Sequence, residues 1–397
     1  MNGTVRKQPQ NGTKQISVEK AVRERYVKGA QQQEASLCCA VDYDKRFLDV
    51  LPKEIIERDY GCGDPSKYVK PGETVLDLGS GTGKICYIIA QMVGAEGKVI
   101  GVDMTAEMLH LAQKYQKEIG DRIGYHNVEF RRGKIQDLRL DLNRADLYLK
   151  ENPIKNANDL LKYEEFVEDQ KKNHPLVADE SVDLVVSNCV LNLVKDSDKK
   201  QLFGEIHRVL KRGGRVAISD IVSDEDVPEY MKNDPELWSG CISGVLREDE
   251  FLNAFAEAGF YGMEIVKRDE QPWQTVEGIE FRSVTITAYK GKEGPCLERN
   301  QAVIYRGPWK AVIDDDGHTL YRGERMAVCD KTYHIYTRAP YSEEIIPVAP
   351  YENIALEQAR PFACNKNARR RPRETKGLEY NVTEIKEGSV CGPEGCC

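Results

Sequence analysis

Val75-Leu-Asp-Leu-Gly-Ser-Gly-Thr-Gly83 joins a short apolar run to a loop in which glycine alternates with small hydroxyl residues. The apolar part predicts a buried strand over residues 74–78. Residues 84–93 follow with Ile85, Ile88, Ile89 and Met92 at helical spacing. Glycines at 79, 81 and 83 permit positive φ and let the backbone approach a ligand closely. Outward from this unit the strand and helix signals keep alternating. A second strand over 98–102 ends at Asp103, and Thr105 stands where a cap is wanted before a helix over 106–119. Further strands are expected over 128–131, 182–187, 215–220 and 283–289, with helices over 196–210 and 247–258. This rhythm predicts an α/β fold: a mostly parallel, doubly wound, Rossmann-like sheet covered on both faces.

The flanks read differently. Residues 1–35 are polar and are expected to form a mobile arm, with a helix over 18–33. Residues 36–70 place Cys38, Cys39 and Cys62 on loops around a short helix over 52–58, and Tyr60-Gly-Cys-Gly-Asp-Pro65 is dense in turn residues. The sheet domain would comprise 36–135 and 180–290, interrupted by a charged, partly helical insertion over 136–179. After residue 294 the pattern turns to short strands: a hairpin around Asp316-Gly317 within 307–321, then strands over 326–329 and 333–337. A small β-rich domain over 294–380 is expected, followed by a cysteine-bearing tail over 381–397.

A chain of 397 residues has room for two or three domains. No apolar run approaches the roughly 20 residues of a membrane helix, and the N-terminus lacks the apolar segment of a secretory signal. A soluble, cytoplasmic protein with no membrane partner is expected, acting as a monomer. The net charge of -8 argues against general nucleic-acid binding, which needs a basic surface. Arg369-Arg-Arg-Pro-Arg373 reads as a solvated loop or an anion site. The cysteines, twelve in all, do not form repeated Cys-x-x-Cys pairs, so a zinc ribbon is not indicated. In a reducing compartment they leave catalysis, soft-metal binding or redox cycling as roles.

Asp77 at the first strand's end favours a ligand's cationic amino group, and Asp103 can accept two ribose hydroxyls. After the third strand, Ile135 could pack on an adenine ring while Gln136 or Asp137 bonds its amino group. The arrangement resembles motif I of class I S-adenosylmethionine methyltransferases, although spacing alone leaves a nicotinamide dehydrogenase open. The cofactor set so expected is Asp77, Gly79, Ser80, Gly81, Gly83, Asp103, Met104, Ile135, Gln136 and Asn188.

Cys62 in Tyr-Gly-Cys-Gly, Cys189 in Ser187-Asn-Cys-Val-Leu-Asn-Leu193 and Cys241 in Trp238-Ser-Gly-Cys241 join this loop. The set resembles arsenite methyltransferases over roughly residues 36–290. The resemblance implies that Cys62, Cys189 and Cys241 hold trivalent arsenic as thiolates, soft donors for a soft centre. It also implies that Cys38 pairs with Cys62 as a disulfide during turnover, with Cys39 open as its substitute. A thioredoxin, glutaredoxin or glutathione system would restore the thiols. Cys86, within an apolar helix face, and His207 are read as packing residues, since a free cysteine is often a small buried hydrophobe. The long insertion departs from the family pattern, as do the late cysteines. Cys296, Cys329 and Cys364 could gather arsenic or be incidental, and Cys391, Cys396 and Cys397 could trap a soft metal. The alternatives are a methyltransferase for another thiophile, such as selenium, or for a small organic acceptor, and a metalloid-binding sensor without turnover.

Overall fold

The structure is a computed structural model that describes residues 18–32, 41–364 and 367–376. The chain divides into two units, Met1–Gly291 and Lys292–Cys397.

The first unit is built on one sheet. Its strands are β1 (Thr74–Leu78), β2 (Lys98–Asp103), β3 (Val128–Arg132), β4 (Val182–Asn188), β5 (Leu210–Ser223), β6 (Tyr261–Arg268), β7 (Gln274–Val276) and β8 (Ile279–Tyr289). The order is β3-β2-β1-β4-β5-β8-β6, with β7 paired to β8. The first five strands run parallel, and β8 enters antiparallel between β5 and β6. A two-residue turn joins β7 to β8, with positive φ at Glu277 and Gly278, which suits the twist of a hairpin.

Alternation along each strand feeds a separate core on each face. Leu76 and Leu78 of β1 and Val185 of β4 point to one core, beside Phe203, Phe251, Phe255 and Phe260. Val75, Leu184 and Val186 point to the other, under the helices Lys84–Val93 and Ala106–Ile123. Both faces being dry, the strands read as continuous apolar runs. The order also leaves a crevice at the carboxyl ends of β1, β2 and β4, where the chain reverses direction across the sheet.

Several expectations need correction. Val18–Gln31 is not a free arm. Val18, Val22 and Tyr26, one helical face at i, i+4 and i+8, pack with Leu193, Trp238 and Cys241. Arg25 fastens the helix by donating to Glu236 O at 3.1 Å and to Ser239 Oγ at 3.2 Å. The insertion, expected to be partly helical, contains two helices, Leu142–Glu151 and Ala157–Asn173, capped by Asp141 and Asn156, with Tyr148 stacked on Phe166 at 4.2 Å. Thr105 occupies its N-cap position without a side-chain bond to the helix.

The second unit contains a three-stranded antiparallel sheet (Arg325–Ala327, Ala302–Tyr305, Ile345–Val348), the hairpin Ala311–Ile313 with Thr319–Tyr321, and a short ladder of Leu297–Glu298 with Arg360–Pro361. Where a strand was expected over 333–337, the chain forms the helix Asp330–Tyr336, which buries Thr332, Ile335 and Tyr336 on one side. Among the described residues no helix is long and apolar enough to cross a membrane.

Candidate active site

A cavity opens at the carboxyl ends of β1, β2 and β4, and its wall contains nine of the ten expected cofactor residues. The loop after β1 forms its floor. Gly79 N and Ser80 N both donate to Val102 O, at 2.8 and 3.0 Å, which binds the loop to β2. Gly79 has φ 71, and a Cβ there would stand 2.4 Å from Val190, so the loop after β4 can lie against it only because this residue is glycine. Gly83 is the exception among the ten. It starts the helix Lys84–Val93 in a left-handed conformation, lies behind the wall, and a Cβ would meet Phe130 at 2.7 Å.

The electrostatics suit a ligand carrying a cation and hydroxyls. Burial pushes the Asp77 carboxyl up to about 8, although the Cys86 thiol donates to its Oδ2 at 3.2 Å. A cation beside Asp77 would restore the ionised form. Asp103 is also raised by burial, opposed by the amides of Thr105 (2.7 Å) and Gly81 (3.0 Å), which leave further lone pairs for ligand hydroxyls. Ser80 Oγ is buried with no partner among the described residues, which fits a site that awaits a polar ligand. Ile135, Met104 and buried Gln136 complete the side where a ring would lie. Asp137 is engaged elsewhere, in an ion pair with Lys171 at 2.6 Å, so of the two adenine candidates only Gln136 reaches the wall.

The sequence reading missed part of this cavity. Glu19, Val22 and Tyr26 come from the N-terminal helix, and Asp59 and Tyr60 from the segment before Cys62. The signal was available in the 18/22/26 spacing, which marks a face that wants cover.

Of the three expected thiols, Cys189 borders this cavity, and Cys62 and Cys241 lie against Cys189. Cys189 directly follows β4 with φ 60 and lies in the cavity wall. Cys241 also has φ 60, and its thiol donates to Cys189 O at 3.6 Å and meets Tyr26 Oη at 3.9 Å. Cys62 is joined to Cys189 as a disulfide, with Cα atoms 5.9 Å apart. The expected partner of Cys62 was Cys38, which lies outside the described residues, as does Cys39.

Asn188 gives the physical reason for the Cys62–Cys189 pairing. Its Oδ1 accepts from Cys62 N (2.9 Å) and Gly63 N (3.1 Å), and its Nδ2 donates to Gly63 O (2.8 Å) and Tyr43 Oη (3.1 Å). Ser283 Oγ adds a bond to Cys62 O at 2.7 Å. A Cβ at Gly61 would fall 2.2 Å from Asn188 Nδ2, and one at Gly63 2.4 Å from Ser219 Oγ. The two glycines thus let the loop press onto the sheet and deliver Cys62 to the residue after Asn188. Asn188 borders the cavity, but these four bonds make it a clamp on the thiol loop.

A second clamp holds the loops of Cys189 and Cys241. Asp220, fully buried on β5 one residue past the last β4 pairing, accepts from Leu191 N (2.9 Å), Ile221 N (2.8 Å) and Asn192 Nδ2 (2.7 Å). Burial pushes its carboxyl up to about 7. Trp238 Nε1 donates to Leu193 O at 3.2 Å and Lys199 Nζ to Gly244 O at 2.5 Å, tying the Cys241 loop alongside. Sequence reasoning did not find Asp220 or Lys199, because their partners are distant in the chain.

Sheet order, glycine loop and the two strand-end carboxylates define a class I S-adenosylmethionine-dependent methyltransferase. A methyltransferase-domain family model matches residues 69–174 and 165–259, and a domain of unknown function matches residues 292–380. An arsenite methyltransferase from Aquipseudomonas alcaligenes is 32% identical over 380 residues, covering 91% of this chain and 94% of the relative. The arsenite methyltransferase of Mus musculus is 28% identical over 366 residues, covering 89% and 87%. The crystal structure of an arsenic(III) S-adenosylmethionine methyltransferase from Chlamydomonas reinhardtii superposes with TM-score 0.53 at 26% identity, covering 80% of this chain and 97% of that one. The chain belongs to the arsenite methyltransferase family, and its methyl donor is S-adenosylmethionine.

Proposed function

We propose that this enzyme holds trivalent arsenic on Cys62, Cys189 and Cys241 and methylates it at the arsenic lone pair. The observation that carries this reading is that Cys62 and Cys241, from separate loops, both reach Cys189, which lies in the wall of the cofactor cavity. Asp77 would receive the donor's ammonium, Asp103 its ribose and Gln136 its adenine. When bound, S-adenosylmethionine supplies an electrophilic methyl on a cationic sulfur.

Three thiolates around arsenic leave one lone pair, and no proton has to be removed from the attacking atom. The rate therefore depends mainly on proximity and alignment, which the two clamps provide. As the arsenic–carbon bond forms, the carbon–sulfonium bond breaks and the positive charge passes to arsenic, which becomes formally pentavalent. Return to the trivalent state takes two electrons, and two thiolates closing to a disulfide supply two. The Cys62–Cys189 pair is suited to this role. Arsenite could then be held again only after a thiol reductant of the thioredoxin or glutathione class reopens the bond.

The test is to incubate the protein with methyl-labelled S-adenosylmethionine, arsenite and a dithiol reductant. Labelled methylarsenicals are expected. If no label reaches arsenic while the protein binds S-adenosylhomocysteine, the reading fails.

A further inference from the structure

Cys296, Cys329 and Cys364 belong to none of the machinery described above. They come from three separate segments of the second unit, and their sulfurs all lie within 4.8 Å of one another. The backbone explains the meeting. Cys296 precedes the strand Leu297–Glu298, which pairs with Arg360–Pro361, and Phe362 N donates to Cys296 O at 2.8 Å, so the chain returns to place Cys364 nearby. Cys329 opens the helix Asp330–Tyr336. Arg299, one residue past the first strand, donates to Asp330 Oδ1 at 2.7 Å and brings that helix end to the ladder.

No disulfide joins these three sulfurs. Cys329 is buried while Cys296 and Cys364 are half-buried, so a small solute can reach the group from outside. Sulfurs bound to a common centre at about 2.3 Å, as in zinc–thiolate sites, lie at most about 4 Å apart. Closing the group on such a centre therefore asks for shifts of under about 1 Å. Among the described residues no histidine or carboxylate joins the group as a fourth donor. Structural zinc takes four ligands, whereas trivalent arsenic is satisfied by three soft ones.

We propose that Cys296, Cys329 and Cys364 form a second trithiol site, in the C-terminal unit, that binds trivalent arsenic. The choice of occupant rests on the methyl-transfer reading, while the grouping of the thiols does not. Binding is a condensation: arsenite's three hydroxyls leave as water with the three thiol protons, three arsenic–sulfur bonds form, and no electrons change hands.

The experiment uses the reduced full-length chain with Cys38, Cys39, Cys62, Cys189, Cys241, Cys391, Cys396 and Cys397 replaced by serine. Arsenite titration should give one equivalent per chain, and arsenic-edge X-ray absorption should read three sulfur neighbours. Adding Cys296→Ser should weaken binding at least tenfold and lower the sulfur count to two. In the otherwise wild-type chain, Cys296→Ser alone should remove one equivalent, which guards against misfolding of the multiple variant. An uptake that Cys296→Ser leaves unchanged in both backgrounds overturns the site, as does the absence of any arsenite bound there. Zinc that copurifies with the group and resists arsenite overturns the choice of occupant. Failure of the unsubstituted chain to methylate arsenic, with this binding intact, would count against the proposed function and leave the second site standing.

Discussion

Cys189 and Cys241 both hold φ 60, a conformation that a non-glycine residue adopts at a cost of about 1–3 kcal/mol. The cost is tolerated because neighbouring bonds fix the backbone: Cys189 N donates to Ser219 O at 2.8 Å and Cys241 N to Trp238 O at 3.1 Å. Cys62 needs no such strain, because Asn188 does the positioning. Asn188→Ala leaves the Cys62 and Gly63 amides without their acceptor in a buried place. We expect a stability loss of about 2–4 kcal/mol by denaturant titration and, after reduction, faster alkylation of Cys62. Unchanged Cys62 reactivity would show that the loop is held by something other than this amide. Asp77 and Asp220 supply a pH prediction. Burial raises them to about 8 and about 7, so the fold retains protons that the unfolded chain releases above about 4. Stability of the ligand-free protein should fall as pH rises from about 4 to about 8, by up to about 1.4 kcal/mol per pH unit for each group. Thermal melts at pH 6 and 8 check the sign, and Asp77→Asn should flatten the slope. S-adenosylhomocysteine, whose ammonium favours ionised Asp77, should raise the melting temperature more at pH 8 than at pH 6. An equal gain at both would detach Asp77 from the ammonium.

Among the elements, the N-terminal helix matters most beyond the sheet. Val18–Gln31 covers the Cys241 loop and contributes Glu19, Val22 and Tyr26 to the cofactor cavity. Val22→Asp would put an unpaired charge among Leu193, Trp238 and Cys241, which the fold can relieve by releasing the helix. Cofactor affinity should drop by about tenfold or more, equivalent to about 1.4 kcal/mol, as read by calorimetric titration. An unchanged Kd would mean that the helix is only a cover. The same helix marks the limit of what the chain's own pattern reveals. The β1 loop, Asp103 and the alternation of strands were legible because each is local: a period, a turn residue, a strand end. The 18/22/26 stripe was legible too, but the polar composition around it obscured its meaning. The strand β6, the helix Asp330–Tyr336 and the clamps Asn188 and Asp220 were not, because each depends on partners far along the chain, such as Cys62 for Asn188 at a separation of 126 residues.

On the scale of the whole molecule, thiols gather in both units of the chain: the proposed catalytic set in the unit ending at Gly291 and a separate group in the unit that starts at Lys292. The proposed catalytic set carries a constraint that the other lacks. With Cys62 and Cys189 joined, each sulfur has given its ligand valence to the other, and only Cys241 of the three remains able to bind arsenic. Oxidised protein should therefore bind the cofactor normally but neither hold arsenite in the first unit nor methylate it. Treatment with a thioredoxin-class reductant should restore both, since exchange proceeds through a mixed disulfide at whichever sulfur the reductant can reach. The measurement combines peptide mapping of the oxidised chain, where a fragment linking Cys62 to Cys189 is expected, with methylation assayed before and after reduction. Cys189→Ser removes the link and should also abolish methylation, because the third arsenic ligand goes with it. Full activity of the oxidised chain without any reductant would break the argument at its base, because arsenic would then be held by sulfurs other than these.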